Sequence, residues 1–216
     1  MFAVPKPLIL NLREESRRQA GTEPVSSREE QERLVSRFSS QVMAVNGFFK
    51  SVPDVERASN YVKNLALARK AKRVVLTDDP LALELFDKLA GEASLDVASG
   101  STRSRENFFE SIRNAQIGVS SVNLAVAETG TLIVSTSDEL NRLVTALPEV
   151  HVAMVPSSKL VFSLEDAGGY LSEATTKANG PVTVSLISSS SRTSDIGRMV
   201  ILGVHGPKEL HVLLLG

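Results

Sequence analysis

The feature that most constrains the fold is the alternation of short apolar runs with amphipathic, helix-like stretches. Runs at 74–76, 150–155 and 182–187 are rich in apolar residues, and stretches of about ten residues with helical spacing lie between such runs. Strands of this kind are typical of a sheet that helices cover on both faces. The pattern therefore predicts an α/β fold, a three-layer α/β/α sandwich around a mostly parallel sheet.

Two further pairs of apolar runs lie too close together for a helix to connect them. They are residues 122–127 with 131–135, and residues 199–204 with 210–215. Parallel strands need a crossover of about a dozen residues, whereas a short turn can join antiparallel strands. We therefore expect two antiparallel hairpins, which make the sheet mixed.

Capping signals predict where the helices begin. Residues 27–30 match a capping box, and apolar spacing continues that helix through Phe49. Asp54 opens a second helix, and Asp79 with Pro80 opens a third that stops near Gly91. Further helices are expected at 105–114, 137–146 and 163–174, with a strand at 95–97. Residues 1–26 are expected to form an N-terminal arm, and residues 27–216 a single domain.

Composition excludes several classes of site. The 216-residue chain has a net charge of −1, which argues against a dedicated nucleic-acid surface. The absence of cysteine excludes a Cys-ligated iron–sulfur cluster, a thiol nucleophile and a disulfide within the chain. No apolar run approaches the roughly 20 residues that span a bilayer. Because Pro5 and Pro7 interrupt the apolar start, it is a poor signal peptide, and we expect a cytoplasmic protein.

The segment around Glu128 is the first candidate site. Glu128 directly follows an apolar run, and the turn Thr129-Gly130-Thr131 leads into the next run. This arrangement predicts a buried or half-buried carboxylate at a bend, where Gly130 permits a positive φ and the close approach of another group. Since an unpaired buried charge is costly, Glu128 must be paired, hydrogen-bonded or protonated. It either belongs to a site or caps nearby backbone N–H groups.

Six short motifs stand in a fixed order between about residues 115 and 216. In order and spacing they resemble those of the lactate-utilisation protein C family, whose domain is the LUD domain. Two departures stand out, since Ser189 and Ser190 replace the family's usual Gly-Pro, and Gly197 replaces its acidic residue. The motifs are Ala127-Glu128-Thr129-Gly130-Thr131-Leu132, Asn141-Arg142-Leu143 with Leu147-Pro148, Val150-His151-Val152-Ala153, Lys159-Leu160-Val161 with Leu164-Glu165-Asp166-Ala167, Ser191-Arg192-Thr193-Ser194-Asp195-Ile196 and Gly203-Val204-His205-Gly206-Pro207.

The resemblance implies a fold like that of the sugar-phosphate isomerases and CoA transferases, with a site at the strand ends. It also implies iron–sulfur partner proteins, the whole system oxidising L-lactate to pyruvate. Without cysteine, this chain would bind, position or assemble as an accessory subunit. The resemblance does not identify a cofactor, and it is compatible with a homodimer. Two alternatives also stay open: a stand-alone enzyme on a CoA thioester or phosphorylated metabolite, with Glu128 as base or nucleophile, and a non-catalytic assembly factor.

The second candidate site is the polar stretch 188–195, which is expected to be a loop before a short helix. It contains Ser191, Arg192, Thr193 and Asp195. Serine hydroxyls, free N–H groups and a guanidinium suit a small anion such as a phosphate or a carboxylate. The alternative is a flexible serine linker. We expect this stretch and Glu128 to converge on one anion-binding pocket.

The histidines differ in what their surroundings predict. His205, beside Gly206 in a turn between strands, is a candidate to donate to a substrate oxygen or transfer a proton near neutral pH, or only to hydrogen-bond the turn. His151 begins an apolar strand and is predicted to be structural, and His211 is predicted to lie on the surface. Their spacing lacks metal-ligand patterns such as His-x-x-x-His, so no metal site is expected.

Arg142, Lys159 and the basic cluster at 69–73 are cationic candidates for contacts with an anion. Arg142 lies on a predicted helix, where it either reaches the cleft or belongs to a solvated face. Lys159 precedes the helix expected at 163–174 and is the weaker candidate. The basic cluster at 69–73 ends the second helix, and cations are favourable at that negative helix end without any phosphate ligand.

Overall fold

The computed structural model describes residues 28–92, 94–176, 180–194, 200–203 and 205–216. The expected arm at 1–26, and Ser27 of the predicted capping box, lie outside these residues. The helices are α1 (Arg28–Ala44), α2 (Val55–Arg69), α3 (Pro80–Leu89), α4 (Arg105–Arg113), α5 (Glu139–Ala146) and α6 (Gly168–Thr176). The strands are β1 (Phe48–Val52), β2 (Arg73–Leu76), β3 (Asp96–Ser99), β4 (Ile117–Ser121), β5 (Leu124–Val126), β6 (Thr131–Thr136), β7 (Val150–Pro156), β8 (Leu160–Val161), β9 (Thr183–Ile187), β10 (Arg192–Ser194), β11 (Val200–Leu202) and β12 (Glu209–Leu215).

Six strands form an all-parallel main sheet in the order β1-β12-β7-β4-β2-β3. Strand β12 pairs with β7 over its whole length and with β1 over its last five residues. Every residue of β12 after Glu209 is buried, which is typical of a central parallel strand. The α/β class and the mostly parallel sheet predicted from the sequence are confirmed.

A second sheet contains the shorter strands in the order β8-β5-β6-β9. Strands β5 and β6 form the antiparallel hairpin expected at 122–135, with Leu124 opposite Ile133. Strand β9 extends it on the other side of β6, also antiparallel. Strands β10 and β11 form a separate antiparallel pair. The antiparallel pairs therefore lie outside the main sheet.

Both faces of the main sheet are covered. On one face, Val62 of α2 and Leu85 of α3 pack against Val74, Val152 and Leu213 of the sheet, all fully buried. On the other face, α4 and α5 cover β2 and β3, while α1 and the second sheet cover β7 and β12. The junctions between these covers leave room for a cleft.

The predicted helix starts at Asp54 and Asp79 are confirmed. The Asp54 carboxylate accepts from Arg57 N at 2.8 Å, and the Asp79 carboxylate accepts from Ala82 N at 2.9 Å. Both interactions satisfy N–H groups that have no partner inside the helix.

The first helix is shorter than its apolar spacing predicts. It ends at Ala44, because Asn46 adopts a left-handed backbone conformation with φ 60°, and Phe49 belongs to β1 instead. A Cβ at Gly47 would lie 2.8 Å from Val42 Cγ1, so the turn also needs glycine. Phe49 packs edge to face on Phe38 of the helix, which explains why it continues the helical spacing without belonging to the helix.

The predicted hairpin at 199–215 is wrong. Strand β11 pairs with β10, and β12 enters the main sheet in parallel. Residues 192–194, expected as loop, form β10, and the short helix expected beyond residue 195 begins outside the described residues. Burial of β12 between two parallel strands removes more apolar surface from water than a two-stranded ribbon would.

Two other boundaries differ from expectation. The helix expected at 163–174 begins at Gly168, although Asp166 N does donate to Ser163 Oγ at 3.2 Å, as its cap predicts. Strand β4 was not predicted, since the sequence analysis placed a strand only in the apolar run that follows it. None of the described helices combines the length and the apolarity that a membrane crossing requires.

Candidate functional site

A cleft of about 500 Å³ opens at the amino ends of β7 and β12. His151 and Leu210, each the second residue of its strand, lie against it. Helix α5 contributes Arg142 and Thr145, and β9 with the serines at 188–191 forms a further wall. Arg192 and residues 205–207 complete this part of the lining. The cleft thus lies where α5, the second sheet and the turn before β12 meet.

Gly118 of β4 determines how closely α5 approaches the sheet. A Cβ at this position would collide with the Val144 carbonyl oxygen of α5 and lie 3.0 Å from Pro148 Cγ. Because the helix lies directly on the strand, its cleft-facing residues Arg142 and Thr145 are held beside His151. A side chain at position 118 would push α5 away and widen the cleft.

Backbone hydrogen bonds join Ser191 to the turn that contains His205. Ser191 N donates to Pro207 O at 2.8 Å, and Gly203 N donates to Ser191 O at 3.0 Å. His205 N donates to Ser191 Oγ at 3.2 Å. A Cβ at Gly206 would lie 3.3 Å from Ser191 Cβ, so glycine permits this close approach. The two stretches, separated by more than ten residues, therefore form one rim of the cleft.

The charges around the cleft favour an anion. Arg142 is ion-paired with Glu139, and its hydrogen bond lowers the pKa of that carboxyl. The Arg192 guanidinium donates to the Val45 carbonyl oxygen, and no described carboxylate pairs with it. None of the described lining residues is Asp or Glu. Among the described residues there is also no group of three His, Asp or Glu side chains suited to a metal ion.

His151 is buried beneath this cleft. It is 1% exposed, its Nε2 lies 2.9 Å from Ser120 Oγ, and its Nδ1 has no hydrogen-bond partner among the described residues. Burial lowers its pKa to about 4, with a smaller contribution from His211, so the ring is neutral at pH 7. The predicted structural histidine therefore lines the cleft, with one ring nitrogen unused.

A chain of hydroxyl groups connects the Thr-Gly-Thr turn to the cleft wall. Thr129 Oγ1 lies 2.8 Å from Thr131 Oγ1, which lies 2.8 Å from Ser188 Oγ. Between the two threonines, Gly130 has φ +69°, as its position predicts. The group that approaches Gly130 is helix α1, since a Cβ there would lie 2.9 Å from Gln41 Cβ. This turn thus supports the wall instead of lining the cleft.

Glu128 is exposed, so the expectation of a buried or half-buried carboxylate is wrong. Its backbone N donates to Phe162 O at 2.8 Å, which keeps the main chain in the sheet while the side chain reaches solvent. Glu128 is not among the described residues that line the cleft. This placement does not favour the hypothesis of a glutamate nucleophile within the cleft.

The structure brings four of the predicted site residues together. Ser191, Arg192, His205 and Gly206 all line the cleft, and His205 is exposed there. Asp195 and Gly197 lie outside the described residues, and only the backbone of Thr193, in β10, is described. The predicted convergence with Glu128 is not observed.

Arg142, Thr145, His151 and Leu210 line the cleft without having been singled out as leading candidates. For Arg142 the sequence was compatible both with a position in the cleft and with a solvated helix face. A histidine in an otherwise apolar strand was the only available signal for His151, and that signal alone does not distinguish a structural role from a binding role.

His211 is buried, 3% exposed, so the predicted surface position is wrong. Its ring stacks on Phe48 at 4.4 Å between ring centroids. His211 Nε2 lies 3.1 Å from Glu209 Oε2, and Nδ1 lies 2.8 Å from the Tyr61 hydroxyl. Because the carboxylate can only accept, Nε2 carries the proton and Nδ1 accepts from Tyr61. Both ring nitrogens are thus satisfied, on the face of the sheet opposite the cleft.

A comparison with protein-family models shows the family to which this chain belongs. The model described as the LUD domain matches residues 35–215. This chain belongs to the LUD domain family. The match includes the whole main sheet and every described residue that lines the cleft.

Curated relatives of this LUD domain chain include proteins named lactate utilization protein C. The one from Geobacillus thermodenitrificans is 29% identical over 141 residues, which are 62% of this chain and 58% of that protein. The one from Shouchella clausii is 26% identical over 174 residues, which are 81% of this chain and 75% of that protein. The chain thus matches less than two thirds of the Geobacillus protein's length.

A solved structure confirms the fold. A DUF162 family protein from Deinococcus radiodurans superposes with a TM-score of 0.59 and 17% sequence identity. The superposition covers 86% of this chain and 98% of the Deinococcus protein. At this identity the similarity establishes the arrangement of helices and strands, and the chemistry of the cleft must be argued from this chain's own residues.

Proposed function

We propose that this LUD domain protein acts in lactate utilisation as a cytoplasmic accessory subunit, binding a small carboxylate for partner proteins that carry iron–sulfur centres. The names of its curated relatives support the pathway. The absence of cysteine from the chain supports a binding role in place of electron transfer through a Cys-ligated cluster.

The observation that carries the binding role is the charge of the cleft. The Arg192 guanidinium donates to the Val45 carbonyl oxygen and has no described carboxylate partner. The cleft's described lining contains serine hydroxyls but no Asp or Glu. A guanidinium and several hydroxyls can donate to both oxygens of a carboxylate. The volume of about 500 Å³ exceeds what a three-carbon acid needs, which leaves room for an organic cofactor or ordered water beside it.

Calorimetric titration of the purified protein with L-lactate and pyruvate tests this proposal. We expect Arg192→Ala to weaken carboxylate binding by about ten- to hundredfold, because a charge-assisted hydrogen bond contributes roughly 1.5–3 kcal/mol. Arg113→Ala is the matched control, since Arg113 pairs with Glu110 on the surface of α4. Failure of the wild-type protein to bind either acid, or equal affinity in the Arg192→Ala variant, would contradict the proposed binding role.

Growth on lactate tests the pathway separately. A host that lacks this gene should grow poorly on L-lactate and normally on glucose. Wild type and Arg113→Ala should restore growth, whereas Arg192→Ala should not. Normal growth of the deletion strain on lactate would show that the protein does not act in this pathway.

A further inference from the structure

A second groove lies between strand β1 and helix α2. Its volume is about 310 Å³, and it shares no described lining residue with the cleft. Residues 50–53 form one wall, and the other wall consists of Arg57, Asn60, Tyr61 and Asn64. Helix residues three and four positions apart lie on one side of a helix. The groove therefore runs between one side of α2 and the strand.

Strand β1 is the edge strand of the main sheet, with β12 as its one partner strand among the described residues. The Val52 carbonyl oxygen accepts from Gly216 N, directly after β12, at 3.3 Å. Successive residues of a strand direct their N–H and C=O groups to alternate sides, so those of Phe49 and Ser51 point away from β12. No described backbone group pairs with them. Such an edge can take up a further strand.

The side chains beside this edge carry positive charge. Lys50 Nζ lies 5.5 Å from the centroid of the Tyr61 ring, and neither Lys50 nor Arg57 forms an ion pair with a described carboxylate. The groove has no Asp or Glu in its described lining, and the nearby Asp54 carboxylate caps α2. Phe48, two residues before Lys50 and on the same side of the strand, is 47% exposed. The surface thus suits an occupant with both acidic and apolar side chains.

The same charges disfavour a second copy of this chain. Two β1 strands related by a two-fold axis would pair in antiparallel fashion and place Lys50 and Arg57 of both copies along one shared edge. Like charges on opposed strands are destabilising. The occupant that complements this edge is therefore an acidic chain.

We propose that β1 binds an extended acidic segment of a partner protein as an additional strand. The segment pairs with the outward N–H and C=O groups of Phe49 and Ser51. Because side chains on one face of a strand are two residues apart, the segment carries an apolar residue opposite Phe48 and carboxylates beside Lys50 and Arg57. Its pattern is apolar-x-acid-x-acid in either chain direction.

Fluorescence anisotropy with the labelled peptide Val-Thr-Glu-Thr-Glu-Thr-Val tests the charge requirement. This sequence reads the same in both directions, so it can pair in either. The wild-type protein should bind it, and Gln in place of both Glu should weaken binding by about fivefold, because two partly exposed ion pairs are lost. Lys50→Gln combined with Arg57→Gln should have the same effect. Arg113→Gln, which removes a cation paired with Glu110 on α4, is the matched control and should leave binding unchanged.

The strand pairing is tested at the backbone. Ser51→Pro removes an N–H that points away from β12, a position where an edge strand tolerates proline, and should weaken binding by about tenfold. Two further peptides test the same point on the wild-type protein, one N-methylated at each Thr and the other at each Val and Glu. Because one of these two sets of N–H groups faces β1, one of the peptides should fail to bind.

Several outcomes would overturn this inference. They are no binding of the Glu peptide by wild type in the millimolar range, equal affinity for the Gln peptide, and full affinity of both N-methylated peptides. Dimerisation of the wild type in sedimentation, abolished by Ser51→Pro, would assign the edge to a second copy and also overturn it. None of these results affects the proposed carboxylate binding, because the groove and the cleft have separate linings.

Discussion

His151 and His211 lie on neighbouring strands of the main sheet and face opposite sides of it. Both are almost fully buried, and burial lowers the pKa of both. On its side, His211 has the Tyr61 hydroxyl, the Glu209 carboxylate and the Phe48 ring as partners. On the cleft side, Ser120 is the one hydrogen-bond partner of His151 among the described residues.

The two sides differ in how many hydrogen-bonding positions of the histidine the fold itself uses. Every hydrogen-bonding position of His211 is used within the fold, and Arg69 pairs with Glu209 at 2.7 Å to extend the network. Such a network stabilises its surroundings and leaves nothing for a ligand. The side with an unused nitrogen is the one that opens into a cleft. Burial is therefore common to both histidines, and the number of satisfied ring nitrogens distinguishes them.

The largest expected effect is a loss of stability in acid. The unfolded His151 gains a proton near pH 6.5, whereas the folded ring stays neutral down to about pH 4. The unfolded state therefore binds more protons between these values, and the free energy of unfolding should fall by up to about 3 kcal/mol as the pH drops from 6.5 to 4.

Urea unfolding at both pH values measures this loss. The His151→Gln variant should lose correspondingly less stability over the same interval. The lowered pKa of His211 acts in the same direction and remains in that variant, so some pH dependence should persist. Identical pH dependence in wild type and His151→Gln would contradict this account, because it would mean that burial does not lower the pKa of His151.

The second effect contrasts the two histidines at pH 7. His211→Leu should lower the free energy of unfolding by about 2 kcal/mol, because it leaves the Tyr61 hydroxyl without its partner and removes one partner of the Glu209 carboxylate. His151→Leu should cost less than about 1 kcal/mol, since it removes an unsatisfied nitrogen and deprives only Ser120. Urea unfolding curves provide both values, and the opposite order would show that the cleft-side histidine is the structural one.

The smallest effect concerns Ser120. Ser120→Ala should cost about 1 kcal/mol in wild type, because it leaves His151 without any described partner. In the His151→Leu background the same change should cost close to nothing. A double-mutant cycle measures this coupling. Equal costs in both backgrounds would mean that the Ser120–His151 contact contributes nothing to stability.

The sequence predicted those parts of the fold that depend on local chemistry. The carboxylates of Asp54 and Asp79 cap helices because each reaches N–H groups only three residues away. The β5–β6 hairpin follows from a short turn in which Gly130 has a positive φ. Strand β12 was assigned to the wrong partner because an apolar run specifies burial but does not specify which strand lies beside it.

The candidate site was predictable to the extent that its residues are close in sequence. Ser191 and Arg192 are adjacent, and so are His205 and Gly206, and the structure places both pairs on one cleft. Glu128 was expected there because an apolar run leads into it, but its main-chain N donates to Phe162 O, directly after β8, while its side chain is exposed. Which side a residue at a strand end faces depends on tertiary packing.

The position of β12 has a consequence for biosynthesis. Strand β1 is joined to the main sheet through β12. The first described strand of the sheet therefore cannot pair until the last one has formed. Until β12 has been synthesised, β1 has no partner strand in the main sheet, and the edge of β7 that pairs with β12 is open. Molecules whose synthesis stops before residue 209 should therefore be targets for chaperones and proteases, since they expose an open sheet edge.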